Sequence, residues 1–135
     1  MRQYVGVVLV KPDGSVLAQH RDTKPDLLGS NMWCVVGGAR EESESLEEAA
    51  VRELLEETGY VVSKENLQEV MRDQYVTEKG VPVERIIFCA PYDGKQSIAC
   101  YEGQEIRFVS QDELKTLPFY DRHREFLEKA VGKVF

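Results

Sequence analysis

Glu53, Glu56 and Glu57 are spaced i, i+3 and i+4 within a run of helix-forming residues, so their carboxylates share one helical face. Each close pair repels. The three also occupy the last turns of their helix, where the negative end of the macrodipole disfavours an acid by about 0.3–1 kcal/mol. By themselves three such glutamates read as a solvated acidic face. The chemistry they offer beyond that is cation binding: hard divalent ions such as Mg²⁺ take carboxylate and carbonyl oxygens and leave room for waters and substrate phosphates.

The surrounding residues shift the reading toward a cation. From Gly38 the chain runs five residues to Glu44, seven more to Arg52, and then reads Arg52-Glu53-Leu54-Leu55-Glu56-Glu57-Thr58-Gly59-Tyr60. This resembles the signature of the Nudix hydrolases, matching both glycines, the arginine and all four glutamates at the family's spacing over residues 38–60. Val36 stands where a proline often precedes the glycine pair, Ser43 replaces a frequent glycine, and Tyr60 fills an aliphatic slot. None of these departures removes a functional oxygen, so they bear on loop conformation rather than on chemistry.

The resemblance implies attack of water on a phosphorus of a nucleoside diphosphate linked to another group, with Mg²⁺ or Mn²⁺. It implies Glu56 and Glu57 as direct metal ligands, Glu53 as ligand or general base, the Gly37 carbonyl as a further ligand, and Glu44 as another ligand or base. Arg52 is expected to pair with these acids and hold their rotamers. Tyr101-Glu102-Gly103-Gln104 is similar to a loop from which triphosphate-hydrolysing members draw one more carboxylate; Glu102 is the expected ligand and Glu105 the fallback. Arg21, closing the second expected strand, is either a substrate contact or a plain surface arginine.

Tyr75, Phe88, Phe119 and Tyr120 are the aromatics available to wall a base, although aromatics in strands more often belong to the core. Pro118-Phe119-Tyr120-Asp121 joins two late helices where related enzymes contact the base, which makes Tyr120 and Asp121 the expected substrate-binding pair. ADP-ribose-cleaving members often carry a proline fifteen residues beyond the motif, where this chain has Tyr75. That difference weakens an ADP-ribose reading.

Elements able to hold these residues follow from local signals. Tyr4–Val10 is an apolar, β-branched strand; Pro12-Asp13-Gly14 turns it into a partner over Val16–His20. Asp22–Asn31 is a loop, and Trp33–Val36 is a short strand running into Gly37-Gly38, where the backbone can approach a neighbour closely. Ser45 and Glu48 form a capping box for a helix ending at Thr58, with Gly59 as its C-terminal cap. Leu67–Thr77, Val83–Pro91 and Glu105–Val109 read as strands. Ser110 and Glu113 cap a short helix, and Asp121 is the expected cap of a last helix to about Val131. The fold class is α/β, a Nudix-type α/β/α sandwich around a central mixed sheet.

The 135 residues suit one domain, 1–135, with no repeat or linker-like tract. Cys34, Cys89 and Cys100 form no Cys-x-x-Cys pair and are expected to be reduced and buried; His20 and His123 alone could join them on a metal. The longest apolar run has seven residues, too short for a membrane span, so a cytoplasmic location is expected. A formal net charge of -7, nearly all of it between Gly38 and Gly59, opposes nucleic acid and anionic membranes as partners. The expected partner is a small nucleotide; oligomeric state is not encoded legibly.

The first reading is therefore a metal-dependent pyrophosphohydrolase that converts a nucleoside triphosphate, intact or oxidised, to the monophosphate and pyrophosphate. The alternatives are an NDP-sugar or ADP-ribose hydrolase and a non-catalytic nucleotide-sensing Nudix domain. A sensor would be expected to have lost acids or gained a DNA-binding module, and the sequence has done neither.

Overall fold

The computed structural model describes residues 1–134. Its strands are β1 (Arg2–Val10), β2 (Val16–His20), β3 (Trp33–Cys34), β4 (Val36–Ala39), β5 (Gln68–Val76), β6 (Pro82–Pro91) and β7 (Glu105–Val109). The helices are α1 (Leu46–Thr58), α2 (Gln111–Thr116) and α3 (His123–Val134), with a 3₁₀ turn at Lys64–Asn66. All seven strands belong to one mixed sheet ordered β3-β2-β1-β6-β5, with β4 also on β1 and β7 also on β2. β1 runs parallel to β6 and antiparallel to β2 and β4.

β1 shows why the layers form. Its residues alternate sides: Val5, Val7 and Leu9 pack with Ala49, Ala50 and Leu54 of α1, while Val8 and Val10 pack with Phe126, Leu127 and Ala130 of α3. A strand covered on both faces must be apolar throughout, which is what Tyr4–Val10 displays. The result is the expected helix, sheet, helix sandwich. α1 is held in register by the Ser45–Glu48 capping box and by Gly59 in the left-handed conformation (φ 76°), whose N–H donates to the Leu55 carbonyl.

Three expectations need correction. The single strand over Trp33–Val36 is two strands, because the chain leaves β2 after Cys34 and joins β1 from Val36 to Ala39. At the crossing, the Val35 N–H donates to His123 Nδ1 (2.9 Å) instead of to a strand. Cys100 is exposed, while Cys34 and Cys89 are buried as expected. Asp121 does not cap α3 through its side chain; it adopts positive φ (41°) and its carboxylate accepts from Arg85 Nη1 at 2.7 Å.

Candidate active site

The glycine pair lies inside β4, opposite Gly6 and Val5 of β1, and α1 packs across it. A Cβ on Gly37 would stand 2.0 Å from the Val5 carbonyl oxygen, and one on Gly38 would stand 2.5 Å from the Glu53 carboxylate. The close approach expected of the pair is therefore to β1 on one side and to the acidic helix on the other.

Arg52 organises the acids. Its Nε and Nη2 grip Glu44 at 3.0 and 2.6 Å, Nη2 also donates to the Ala39 carbonyl (3.0 Å), and Nη1 reaches Glu53 Oε1 (2.9 Å) and Glu56 Oε2 (3.3 Å). Charge-assisted bonds of this kind fix rotamers that would otherwise splay. They also hold the Glu44 carboxyl below its ordinary range.

The three helix glutamates occupy different environments. Glu56 is exposed, Glu53 is half-buried, and Glu57 is only 3% exposed. The loop before β7 covers Glu57, with the Tyr101 N–H donating to the Glu57 carbonyl (2.9 Å) and the Glu102 carboxyl facing the Glu57 carboxyl. Burial, followed by the neighbouring Glu102 and Glu53 charges, pushes Glu57 up to about 9. Burial also raises Glu53.

Glu57 Oε2 is sealed from solvent and accepts no hydrogen bond among the described residues. Two facing carboxyls with an unpartnered oxygen need either a shared proton or a cation, and a set of hard oxygens suits Mg²⁺ or Mn²⁺. In the conformation described, Glu53 and Glu56 turn toward Arg52, and no three acidic, histidine or cysteine side chains among the described residues stand close enough to share one ion.

Beside this group opens a cavity of about 450 Å³. Gly37, Gly38, Glu102 and Arg21 line it, together with Tyr75 and Tyr120, whose hydroxyls approach to 3.5 Å. Arg21 is not the plain surface residue that its position allowed: it is half-buried, with Nη1 3.9 Å from Cys34 Sγ and Nε sealed without a partner among the described residues. Asp121 is not among the lining residues, because Arg85 holds its carboxylate. Phe88 and Phe119 belong to the core, and Glu105 pairs with Arg107 at 3.2 Å, away from Glu57.

Arg85 and His123 are among the lining residues that sequence reasoning missed. Arg85 is only 1% exposed, binds Asp73 through Nε and Nη2 (2.9 and 2.7 Å), and stacks on Tyr75 with its guanidinium carbon 3.8 Å from the ring centre. A charged residue inside the apolar run Val83–Pro91 was the available signal. His123 gave none, since the fold alone brings it under Tyr4 and Tyr120.

A model of the NUDIX domain matches residues 1–130. The chain belongs to the Nudix hydrolase family. Members of that family act on phosphoanhydride bonds and generally use divalent metal ions. The fold of this Nudix chain recurs in a MutT/nudix family protein from Enterococcus faecalis (22% identity, TM-score 0.79), covering 98% of the present chain and 61% of that one. It recurs in the NUDIX domain of Shewanella oneidensis NrtR, solved with ADP ribose (19%, TM-score 0.80, covering 97% and 86%). A third similar structure is a bifunctional NMN adenylyltransferase/ADP ribose pyrophosphatase from Francisella tularensis with AMP and a Mn ion (18%, TM-score 0.73, 98% and 41%). The Nudix chain thus spans 61% of the Enterococcus protein and 41% of the Francisella one. No helix among the described residues is long and apolar enough to cross a membrane.

Proposed function

We propose that this chain is a Mg²⁺- or Mn²⁺-dependent pyrophosphohydrolase that cleaves nucleoside triphosphates to the monophosphate and pyrophosphate. The observation that carries the reading is the buried Glu57 carboxyl facing Glu102 at the edge of a nucleotide-sized cavity, with Glu57 Oε2 unpartnered. Glu57, Glu102 and Glu56, with the Gly37 carbonyl, would hold the ion. Bound there, it supplies Lewis-acid polarisation of the phosphoanhydride and a more acidic water.

The chain's own residues do the rest. Glu53, raised by burial and fixed by Arg52, takes the proton as the water oxygen bonds to phosphorus and the bridging oxygen leaves with pyrophosphate. Glu44, held in its low range by Arg52, is the second candidate for that role. Arg21 stands where it can meet phosphate charge, and Tyr120 with Tyr75 walls the base. A second reading, ADP-ribose hydrolysis, is favoured by the ADP ribose and AMP bound in similar structures.

A nucleotide panel assayed for pyrophosphate and phosphate release tests both readings. Triphosphates should yield pyrophosphate with Mg²⁺ and nothing in chelator. Glu56→Gln should lower turnover by on the order of a hundredfold. Cleavage confined to ADP-ribose or NDP-sugars selects the second reading, and nucleotide binding without turnover selects a sensing domain.

A further inference from the structure

His123 is 4% exposed, and its ring nitrogens are in different situations. Nδ1 accepts the Val35 N–H at 2.9 Å, so it cannot itself carry hydrogen, and the ring proton is confined to Nε2. Nε2 finds no partner among the described residues, yet only Arg21 Nε and Glu57 Oε2 are both sealed and unpartnered. Since His123 lines the cavity, its Nε2–H opens into that space. Of the other donors nearby, Arg85 is committed to Asp73 and Asp121, the Tyr4 hydroxyl donates to the Val35 carbonyl (2.9 Å), the Tyr75 and Tyr120 hydroxyls share one contact, and the Nε of Arg21 is sealed. A nearly buried side chain thus presents one fixed, unanswered donor.

Its place in the cavity decides what answers it. Glu102, Gly37 and Gly38 mark the end where phosphates must lie, while the charges acting most strongly on His123 are those of Arg85, Arg21, Asp121 and Asp73. A base lying along Tyr75 and Tyr120 directs its sugar toward the acids and its far edge inward. Adenine and hypoxanthine carry their one exocyclic group at C6, and in a pyrimidine the exocyclic group farther from the glycosidic bond is at C4.

Resting on the nucleotide reading above, we propose that His123 is a specificity-determining residue whose Nε2–H donates to a keto oxygen at that distal edge, so that the site prefers 6-keto purines and 4-keto pyrimidines over their amino counterparts. An amino group there would face donor with donor, leaving both without a partner in the contact.

The test uses matched monophosphates that exchange keto for amino at that edge: inosine against adenosine, and uridine against cytidine. Equilibrium binding to the full chain with Mg²⁺ should favour the keto member of each pair by about tenfold. His123→Asn keeps an acceptor for the Val35 N–H but removes the distant donor, so the ratio should fall to within about twofold of unity. His123→Gln, whose amide reaches farther, should restore part of it.

Equal affinities in the wild type, preference for the amino members, or no binding of any of the four at millimolar concentration would overturn the proposal, whether or not the variants fold. A ratio unchanged in folded His123→Asn would overturn it as well. Triphosphate hydrolysis assayed in parallel keeps the two claims apart, because absent pyrophosphate release sinks the proposed reaction while the monophosphate ratio still judges His123.

Discussion

Glu57 is buried to a degree that Glu53 and Glu56 on the same helix are not. The i, i+3, i+4 spacing was readable, and so was Arg52 as a counter-charge. That Glu56 faces water while Glu57 is sealed was not, because the difference comes from a loop more than forty residues away laid over one of the two. With its carboxyl pushed up to about 9, Glu57 holds its proton at neutral pH in the metal-free protein. A divalent ion must displace that proton, since carboxylate ligands bind deprotonated. Mg²⁺ binding at pH 7 should therefore release about one proton, seen by calorimetry as a dependence of the binding heat on buffer ionisation enthalpy. In Glu57→Gln the dependence should disappear along with most of the affinity. Metal binding of wild-type strength in that variant would place the ion elsewhere.

The segments with local punctuation were the legible ones. α1 and α2 carry their capping boxes at the serines expected of them, and β1, β2 and β7 begin or end within two residues of their signals. The split of β3 from β4 was hidden, because the switch from one partner strand to another leaves no mark in four apolar residues. The glycine pair within β4 separates stability from chemistry. Alanine at Gly37 would place its Cβ against the Val5 backbone oxygen, which cannot move without opening the β1–β4 pairing. Gly37→Ala should cost about 1–3 kcal/mol in urea unfolding. Alanine at Gly38 has the flexible end of Glu53 as its nearest neighbour, so Gly38→Ala should melt near wild type while losing turnover as that carboxylate is displaced. Equal destabilisation by both would mean that Glu53 is braced as firmly as the backbone.

The sandwich was readable because β1 is apolar on both sides; the cavity was not, because its wall draws on β1, β4, β5, β6 and the loops before β7 and α3. That assembly buries Glu57 and His123, two titratable groups with opposite pH signatures, and half-buries Glu53, which is raised in the same sense as Glu57 and is common to the wild type, Glu57→Gln and His123→Asn. His123 is pushed down to about 3, chiefly by burial, from an ordinary value of 6.5. Below about pH 6.5 the unfolded chain takes a proton that the native ring refuses, so this contribution to stability is complete above 6.5 and is lost as pH falls toward 3. Glu57 is raised from 4.5 to about 9, so its contribution is complete below 4.5 and is lost as pH rises through 9. Between about pH 4.5 and 6.5 the two slopes oppose one another, each at most about 1.4 kcal/mol per pH unit. Asp73 and Glu44, held low by arginines, act only below their ordinary values of 3.8 and 4.5 and leave this window alone. Urea unfolding in chelator across pH 4–9 should therefore give difference curves of opposite sign. Stability of Glu57→Gln relative to wild type should climb with pH from about 4.5, whereas that of His123→Asn should decline up to about 6.5 and then level. Saturating Mg²⁺ should abolish the first trend, since the ion replaces the proton on Glu57, and should leave the second intact, since His123 is answered by Val35 and not by the ion. Parallel curves for the two variants would mean that the burial of one of these groups relaxes on titration.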